Sequence, residues 1–339
     1  MSKFNVAVVG VTGMVGQTFI QVLQERGFPI KEWKLLASSR SVNKTLTIGG
    51  VPYPVEEASP ASFKGVDFAF FSAGGDISEA LAPEAVKCGA IVVDNSSAFR
   101  MVPEVPLVVP EVNPQAVKGH KGIIANPNCS TIQMVVALEP LHRAAGLKRV
   151  VVSTYQSVSG AGKEAVDELL AQSEAVLNNK ELVKERIPYK GAKVNHQIAF
   201  NMVPQIDVFD EDDYTKEEMK MINETRKIMS LPDLQITATT VRVPSLNGHS
   251  ESVNLEFNAP LSPGDARKVL SAAPGITIWD DPDNLLYPMP VHTEGKDDVF
   301  VGRIRVDRSI PYGLNIWVVS DNIRKGAATN SIQIAELLL

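Results

Sequence analysis

The sequence predicts an α/β protein: a doubly wound parallel sheet in its first part, then an α+β part with a mostly antiparallel sheet. Three observations carry that expectation. Over roughly residues 1–128, short apolar runs alternate with amphipathic stretches, and the runs end in glycine, proline or polar residues. Later in the chain the runs alternate polar with apolar residues and are joined by turns, the pattern of strands with one covered face. The length, 339 residues, suits two domains.

Taken in order, Phe4–Val9 reads as a strand stopped by Gly10, and Met14–Arg26 as the helix that follows. Trp33–Ala37 is a second strand. Phe68–Phe71, Ile91–Val93 and Leu107–Val109 are expected to add three more, with a helix over Asp76–Cys88. The second part offers strands at Arg149–Ser157, Gln235–Val243, Ser250–Asn258, Val299–Val306 and Leu314–Ser320, and helices at Gly162–Asn179 and Thr215–Met229. Arg324–Leu339 is amphipathic through Ile332, Ile334, Leu337 and Leu338, and is expected to dock as a helix. The expected domains are 1–128, with 321–339 packing back on it, and 129–320.

Composition narrows the function classes. Lys and Arg number 33 against 39 Asp and Glu, a net charge of −6, and no block of like charge appears, so a nucleic-acid partner is not expected. Hydrophobic residues are 44% and charged residues 21%, the mix of a folded globular chain. The two cysteines, Cys88 and Cys129, are too few for a disulfide framework, and a chain of this length needs no metal to hold its core. No apolar run nears the roughly 18 residues of a membrane span, and Met1-Ser2-Lys3-Phe4-Asn5 leads directly into a strand. A cytoplasmic protein with no membrane contact is the expectation.

Gly10-Val11-Thr12-Gly13-Met14-Val15-Gly16 joins the first strand to the first helix. Glycines at this spacing permit a tight turn and let backbone N–H groups approach a pyrophosphate at the positive helix end, as in Rossmann-type dinucleotide sites. The same spacing also serves a close-packed turn with no ligand. The second strand ends in Ser38-Ser39-Arg40 with no carboxylate for ribose hydroxyls. Arg40 therefore suits a 2′-phosphate and favours NADP, unless it is an ordinary solvated arginine. Ser72 and Gly74, in Phe71-Ser72-Ala73-Gly74-Gly75, either line the same cleft or form a plain strand-to-helix turn.

Asn126-Pro127-Asn128-Cys129-Ser130-Thr131 precedes the apolar run Ile132–Leu141. Cys129 would open a helix, where the dipole and unshared N–H groups favour thiolate, whereas Cys88 has no such setting and reads as buried filler. A thiol nucleophile also needs an acid/base. Among His120, His142, His196, His249 and His292, the loop position of His249, after Pro244-Ser245-Leu246-Asn247-Gly248, suits that role best, although spacing alone does not select it.

These segments, together with Asp94-Asn95-Ser96-Ser97-Ala98-Phe99-Arg100, Gln156-Ser157-Val158-Ser159-Gly160-Ala161-Gly162, Glu217-Glu218-Met219-Lys220, Arg242 through His249 and Asp321-Asn322, resemble the bacterial aspartate-semialdehyde dehydrogenases over essentially the whole chain. The resemblance implies an NADP-binding first domain and a catalytic and dimerisation domain after it. It also implies reductive dephosphorylation of L-4-aspartyl phosphate to L-aspartate 4-semialdehyde, on the route to lysine, methionine, threonine, isoleucine and diaminopimelate. Cys129 is then the thioester nucleophile, His249 the acid/base and Gln156 the residue that orients the acyl group. Arg100 and Lys220 hold phosphate. Arg242 and Glu217 hold the substrate's carboxylate and ammonium groups. Gly10, Thr12, Gly13, Met14, Val15, Gly16, Ser38, Ser39, Arg40, Ser72, Gly74, Ser159, Gly160 and Asn322 fall at the NADP site. A homodimer or homotetramer is implied.

The chemistry of the residues agrees with these roles. Arg242 suits bidentate carboxylate binding. Glu217 and Lys220 stand three apart on one helical face, an arrangement that a surface ion pair would share. Thr215 and Glu218 match a capping box, which gives Glu218 a structural task and leaves Glu217 for another. The rival reading is another acyl-phosphate reductase, such as N-acetyl-glutamyl-phosphate reductase, whose blocked amine needs no Glu217. A non-enzymatic paralogue would be expected to have lost Cys129, Gln156 or His249.

Overall fold

A computed structural model describes residues 3–339. The chain divides into two compact units, residues 3–128 with Ala327–Leu339, and Cys129–Gly326.

The first unit begins with β1 (Phe4–Val9), α1 (Met14–Glu25) and β2 (Ile30–Ala37). A hairpin, β3 (Thr45–Ile48) and β4 (Val51–Glu57), comes next, then β5 (Phe68–Phe71), α2 (Gly75–Lys87), β6 (Ile91–Asp94) and β7 (Ile123–Ala125). The strands form a seven-stranded sheet in the order β3-β4-β2-β1-β5-β6-β7, parallel except for the β3–β4 pair. Val6, Ala7, Val8 and Val9 are all buried. Their alternate side chains feed two separate clusters, Val6 and Val8 with Phe19 and Phe70, Ala7 and Val9 with Phe71 and Ala82.

Three expectations change here. Cys88, expected as buried filler, is exposed, because it caps the C-terminal end of α2 and does not lie on its covered face. The β3–β4 hairpin was not foreseen, because Pro52 and Pro54 argue against a strand. Leu107–Val109 is buried but is not a ladder strand; it makes one parallel bridge, Leu107 to Ala125, and β7 takes the outer place in the sheet. The Asn113 side chain is the reason. Its Oδ1 accepts from Val109 N–H at 2.9 Å and its Nδ2 donates to the Leu107 carbonyl at 2.9 Å, so these backbone groups are satisfied without a neighbouring strand.

The second unit contains α3 (Cys129–Ala145), β8 (Leu147–Gln156), α4 (Lys163–Leu177), α5 (Lys216–Ile228), β9 (Gln235–Arg242), β10 (His249–Phe257), α6 (Pro263–Ser271), β11 (Ile276–Ile278), α7 (Pro290–Thr293), β12 (Val299–Asp307) and β13 (Gly313–Ser320). Its six-stranded sheet runs β11-β12-β13-β10-β8-β9. The three inner pairs are antiparallel, and the outer pairs, β8–β9 and β11–β12, are parallel. Burial alternates along β10 and β9, so the sheet has one covered face and one open face. α3 packs on β8, β10 and β13.

The chain then returns to the first unit from Ala327, not from 321. Helix α8 (Thr329–Glu336) places Ile332, Ile334 and Ala335 in the cluster with Val6 and Phe19. Asn330 Nδ2 donates to the Val108 carbonyl at 3.0 Å and to Asn126 Oδ1 at 2.7 Å. Arg26 forms a two-pronged ion pair with Glu336. Among the described residues no helix is long and apolar enough to cross a membrane, and no cluster of His, Cys, Asp and Glu is arranged to hold a metal.

Candidate active site

Strand register builds the site in the second unit. Ile316, Val253, Val152 and Ala238 lie side by side across β13, β10, β8 and β9, an apolar row on the covered face. Two residues further along each strand the row is Val318, Glu251, Thr154 and Thr240. Two further still, Ser320 stands opposite His249 and Arg242 beside Gln156; continuing the β10–β8 register sets His249 next to Gln156. Period-two alternation therefore carries one face from hydrocarbon to chemistry in two steps.

Cys129 is the first residue of α3 and is partly exposed. Gly326 backs it closely: a Cβ on Gly326 would come within 2.8 Å of the Cys129 Cβ. The thiol thus sits at the positive end of a helix, the setting that favours thiolate.

His249 is fully buried. Its Nδ1 lies 3.1 Å from the Ser157 backbone N–H, which can only donate, and 3.1 Å from Ser157 Oγ. Burial first, and the Arg242 cation second, push its pKa down to about 3 from the ordinary 6.5, against a smaller upward pull from Glu217. The ring is therefore neutral near pH 7 with its proton assigned to Nε2, an atom that is buried and has no hydrogen-bond partner. Gly160 makes room for it. A Cβ there would meet His249 Nε2 at 3.2 Å and Arg242 Nη1 at 2.9 Å, so any larger residue displaces one or both.

Arg242, also buried, donates from Nη1 to the Ser157 carbonyl at 2.7 Å, and its Nε has no partner. Burial lowers its pKa, while Glu217 and Cys129 act to keep the guanidinium charged. Glu217 accepts from Gln156 Nε2 at 3.2 Å and from Lys220 Nζ at 3.1 Å; Lys220 also pairs with Asp207 at 3.0 Å. The expected capping box is present. Thr215 Oγ1 accepts from Glu218 N–H at 3.3 Å and Glu218 accepts from Thr215 N–H at 2.7 Å, while its other oxygen takes Thr240 N–H at 2.9 Å.

Asn322 has an internal task that its sequence position did not show. Its Oδ1 accepts from Gly248 N–H at 2.9 Å, and its side chain bonds the Ser157 and Ser159 hydroxyls, tying the Ser157–Ser159 turn to the start of β10. Ser157 and Asp207 were missed by the sequence reading. Ser157 acts through both parts: its backbone N–H and carbonyl hold His249 and Arg242, which no side-chain pattern reports, and its Oγ reaches His249 and Asn322.

In the first unit, Gly10 follows β1, Ser38–Arg40 follow β2, and Ser72 and Gly74 follow β5, all at the carboxyl ends of parallel strands where the strand order reverses. Gly10 has φ +84° and lies against the Ser72 carbonyl, and Gly16 lies against the Gly10 carbonyl, so neither position has room for a Cβ. Gly13 caps α1 without any side-chain hydrogen bond, and the first turn holds no acidic residue, which suits an anion. Arg40 is exposed. Arg100 is buried, donating to the Asn126 and Asn95 carbonyls at 2.9 Å each.

The family described as semialdehyde dehydrogenase, NAD binding domain, matches residues 5–120, and its dimerisation domain matches residues 138–325. Aspartate-semialdehyde dehydrogenase of Bacillus subtilis (strain 168) is 58% identical over 98% of this chain and 97% of its own length. The chain belongs to the aspartate-semialdehyde dehydrogenase family. The enzyme of that name from Aquifex aeolicus (strain VF5) is 57% identical over 99% of this chain and 98% of its own. A crystal structure of aspartate semialdehyde dehydrogenase II from Vibrio cholerae, complexed with ASA, superposes with a TM-score of 0.94 at 48% identity, covering 100% of this chain and 98% of that one. The Candida albicans aspartate semialdehyde dehydrogenase with NADP gives 0.75 at 28%, covering 99% and 98%. The family has the two-part α/β architecture seen here, a nucleotide-binding sheet followed by a mostly antiparallel one.

Proposed function

We propose that the protein is an NADP-dependent aspartate-semialdehyde dehydrogenase that reduces L-4-aspartyl phosphate to L-aspartate 4-semialdehyde through a thioester on Cys129, and runs in reverse on aldehyde and phosphate. The observation that carries the reading is the convergence, around Gln156 and Gly160, of a neutral histidine, an arginine and a carboxylate–lysine pair. An amino-acid acyl phosphate needs those groups. Arg242 offers Nε to the substrate carboxylate, Glu217 takes the ammonium group, and Lys220 and Arg100 supply positive charge for phosphate.

In the reductive direction, the Cys129 thiolate attacks the acyl carbon and phosphate leaves, giving the thioester. Gln156 orients the acyl oxygen. NADPH, when bound, would supply the hydride that reduces this thioester. Neutral His249 shares its Nε2 proton with the oxyanion of the tetrahedral thiohemiacetal in a hydrogen bond and keeps it as the oxyanion collapses to the aldehyde and the Cys129 thiolate is restored. Backbone N–H groups at the start of α3 stabilise the oxyanion.

The first unit fits a dinucleotide. The uncapped N-terminus of α1 and the Gly10–Gly16 turn accept the pyrophosphate, with Thr12, Gly13, Met14 and Val15, and Arg40 with Ser38 and Ser39 accepts the 2′-phosphate. Ser72, Gly74, Ser159, Gly160 and Asn322 are assigned to the same cofactor. The domains on this reading are an NADP-binding unit and a catalytic unit that also pairs two copies, and the protein works in the cytoplasm in amino-acid biosynthesis.

The test is Cys129→Ala with mass-spectrometric trapping of the wild-type acyl-enzyme. Loss of phosphate-dependent aldehyde oxidation by about a thousandfold or more is expected, with NADP binding retained. A variant that keeps turnover, or a wild type that reduces the N-acetylated homologue in preference, overturns the reading.

A further inference from the structure

Immediately behind the row that carries His249 lies a buried acid with no part in the chemistry above. Glu251 is fully buried, and neither of its carboxyl oxygens has a well-formed hydrogen bond. Its ladder neighbours are Thr154 on β8 and Val318 on β13, and the side chain that approaches it is Gln133 of α3. None of these is charged. Thr154 Oγ1 and Gln133 Nε2 are buried and likewise lack a partner, while Gln133 Oε1 accepts from Ser320 Oγ at 2.8 Å.

No cation acts on the Glu251 carboxyl among the described residues, so an ionised carboxylate here would cost several kcal/mol. Burial accordingly raises the Glu251 pKa well above its ordinary 4.5, with Gln133 acting slightly the other way. The neutral acid offers one donor and one acceptor. The amide N–H of Gln133 and the hydroxyl of Thr154 are the matching groups.

The positions of the group give it a use. Gln133 stands one turn after Cys129 on α3, and residues four apart share a helical face. Glu251 stands two residues after His249 on the same face of β10. Ser320, which fixes the Gln133 amide, is directly opposite His249. We infer that Glu251 and Gln133 are positioning residues, an acid–amide pair that joins the turn bearing Cys129 to the strand bearing His249 and sets the spacing of thiol and imidazole. An uncharged Glu251 also leaves the thiolate without a competing negative charge behind it.

This rests on Cys129 and His249 being the reacting pair, and its test includes readouts that need no turnover. Glu251→Leu and Gln133→Leu remove one partner each at similar volume; Glu251→Gln mimics the neutral acid. The expected result is that Glu251→Leu lowers kcat about tenfold or more with KM for phosphate and cofactor little changed, since small misplacements act on rate. Glu251→Gln should restore most of that loss, and the Glu251→Leu/Gln133→Leu double variant should be no worse than either single change. Infrared spectra at pH 8 should show the carbonyl band of an un-ionised carboxylic acid that Glu251→Gln lacks. Iodoacetamide should alkylate the Cys129 peptide more slowly in Glu251→Leu than in the wild type, with each variant's fold checked by circular dichroism. Glu251→Gln as damaging as Glu251→Leu, additive losses in the double variant, or an absent infrared band would overturn the inference. Active Cys129→Ala with the band still present would instead remove the catalytic reading and leave the acid's protonation standing.

Discussion

The two sheets use their strands in opposite ways. In the first unit, β1 and β5 are buried on both faces, and adjacent residues such as Val8 and Val9 feed different cores. In the second unit the covered face of β8, β9 and β10 changes along its length from Val152, Val253 and Ala238 to Gln156, His249 and Arg242. A side chain deep in the first sheet is there for packing, while its counterpart near the end of the second is there for its polar atoms. The difference teaches where a substitution should register: as stability in one sheet and as rate in the other.

The sharpest way to break that contrast is Phe70→Ala. Phe70 is fully buried and its ring lies 5.3 Å from that of Phe19. Urea denaturation should show a loss of about 3–5 kcal/mol, with the surviving folded enzyme keeping its KM values. Arg242→Lys reverses the pattern. Losing the planar fork misplaces the substrate, so kcat should fall around a hundredfold while the urea midpoint moves little. Steady-state kinetics in the phosphorylating direction, varying aldehyde and phosphate separately, checks this, and an effect confined to phosphate would exchange the roles of Arg242 and Lys220.

His249 belongs to both sides of the comparison, and pH separates its contributions. Its pKa is about 3 when folded and 6.5 ordinarily, so the unfolded chain binds the extra proton between those values. The stability it contributes is complete above pH 6.5 and is lost as pH falls toward 3. Between pH 7.5 and pH 5 the wild type should lose about 2 kcal/mol that His249→Gln does not lose, measured as the difference in their urea midpoints. The smallest effect is expected at an exposed position. Arg40→Ala should weaken NADP by about tenfold and NAD hardly at all, because one charge-assisted contact to the 2′-phosphate is removed. Equal losses for both cofactors in a fluorescence titration would take Arg40 out of the site.

Local signals were legible where one segment carries the whole pattern. The glycine turn between β1 and α1, the Thr215–Glu218 box and Cys129 at the start of α3 each lie within a few residues of chain. The β3–β4 hairpin stayed hidden because its prolines sit in strand positions, and Leu107–Val109 misled because an asparagine side chain replaces the neighbour it would have needed. His249 could be favoured among five histidines from its loop but not placed. Its neighbours Ser320, Gln156 and Ser157 come from strands and turns far away in sequence, and only the register brings them together. Glu251 read as one more polar residue in an alternating strand, and its burial depends on α3 covering that face.

The return of the chain at Ala327 bears on how the protein is made. Ile332, Ile334 and Ala335 complete the core around Val6 and Phe19, so the first sheet to be synthesised is the last to be finished. During translation, Cys129–Gly326 emerges and is free to fold while the N-terminal sheet still lacks the helix that covers one of its faces. A nascent chain of this topology carries exposed apolar surface until α8 clears the ribosome, the state in which chaperones bind and aggregation begins.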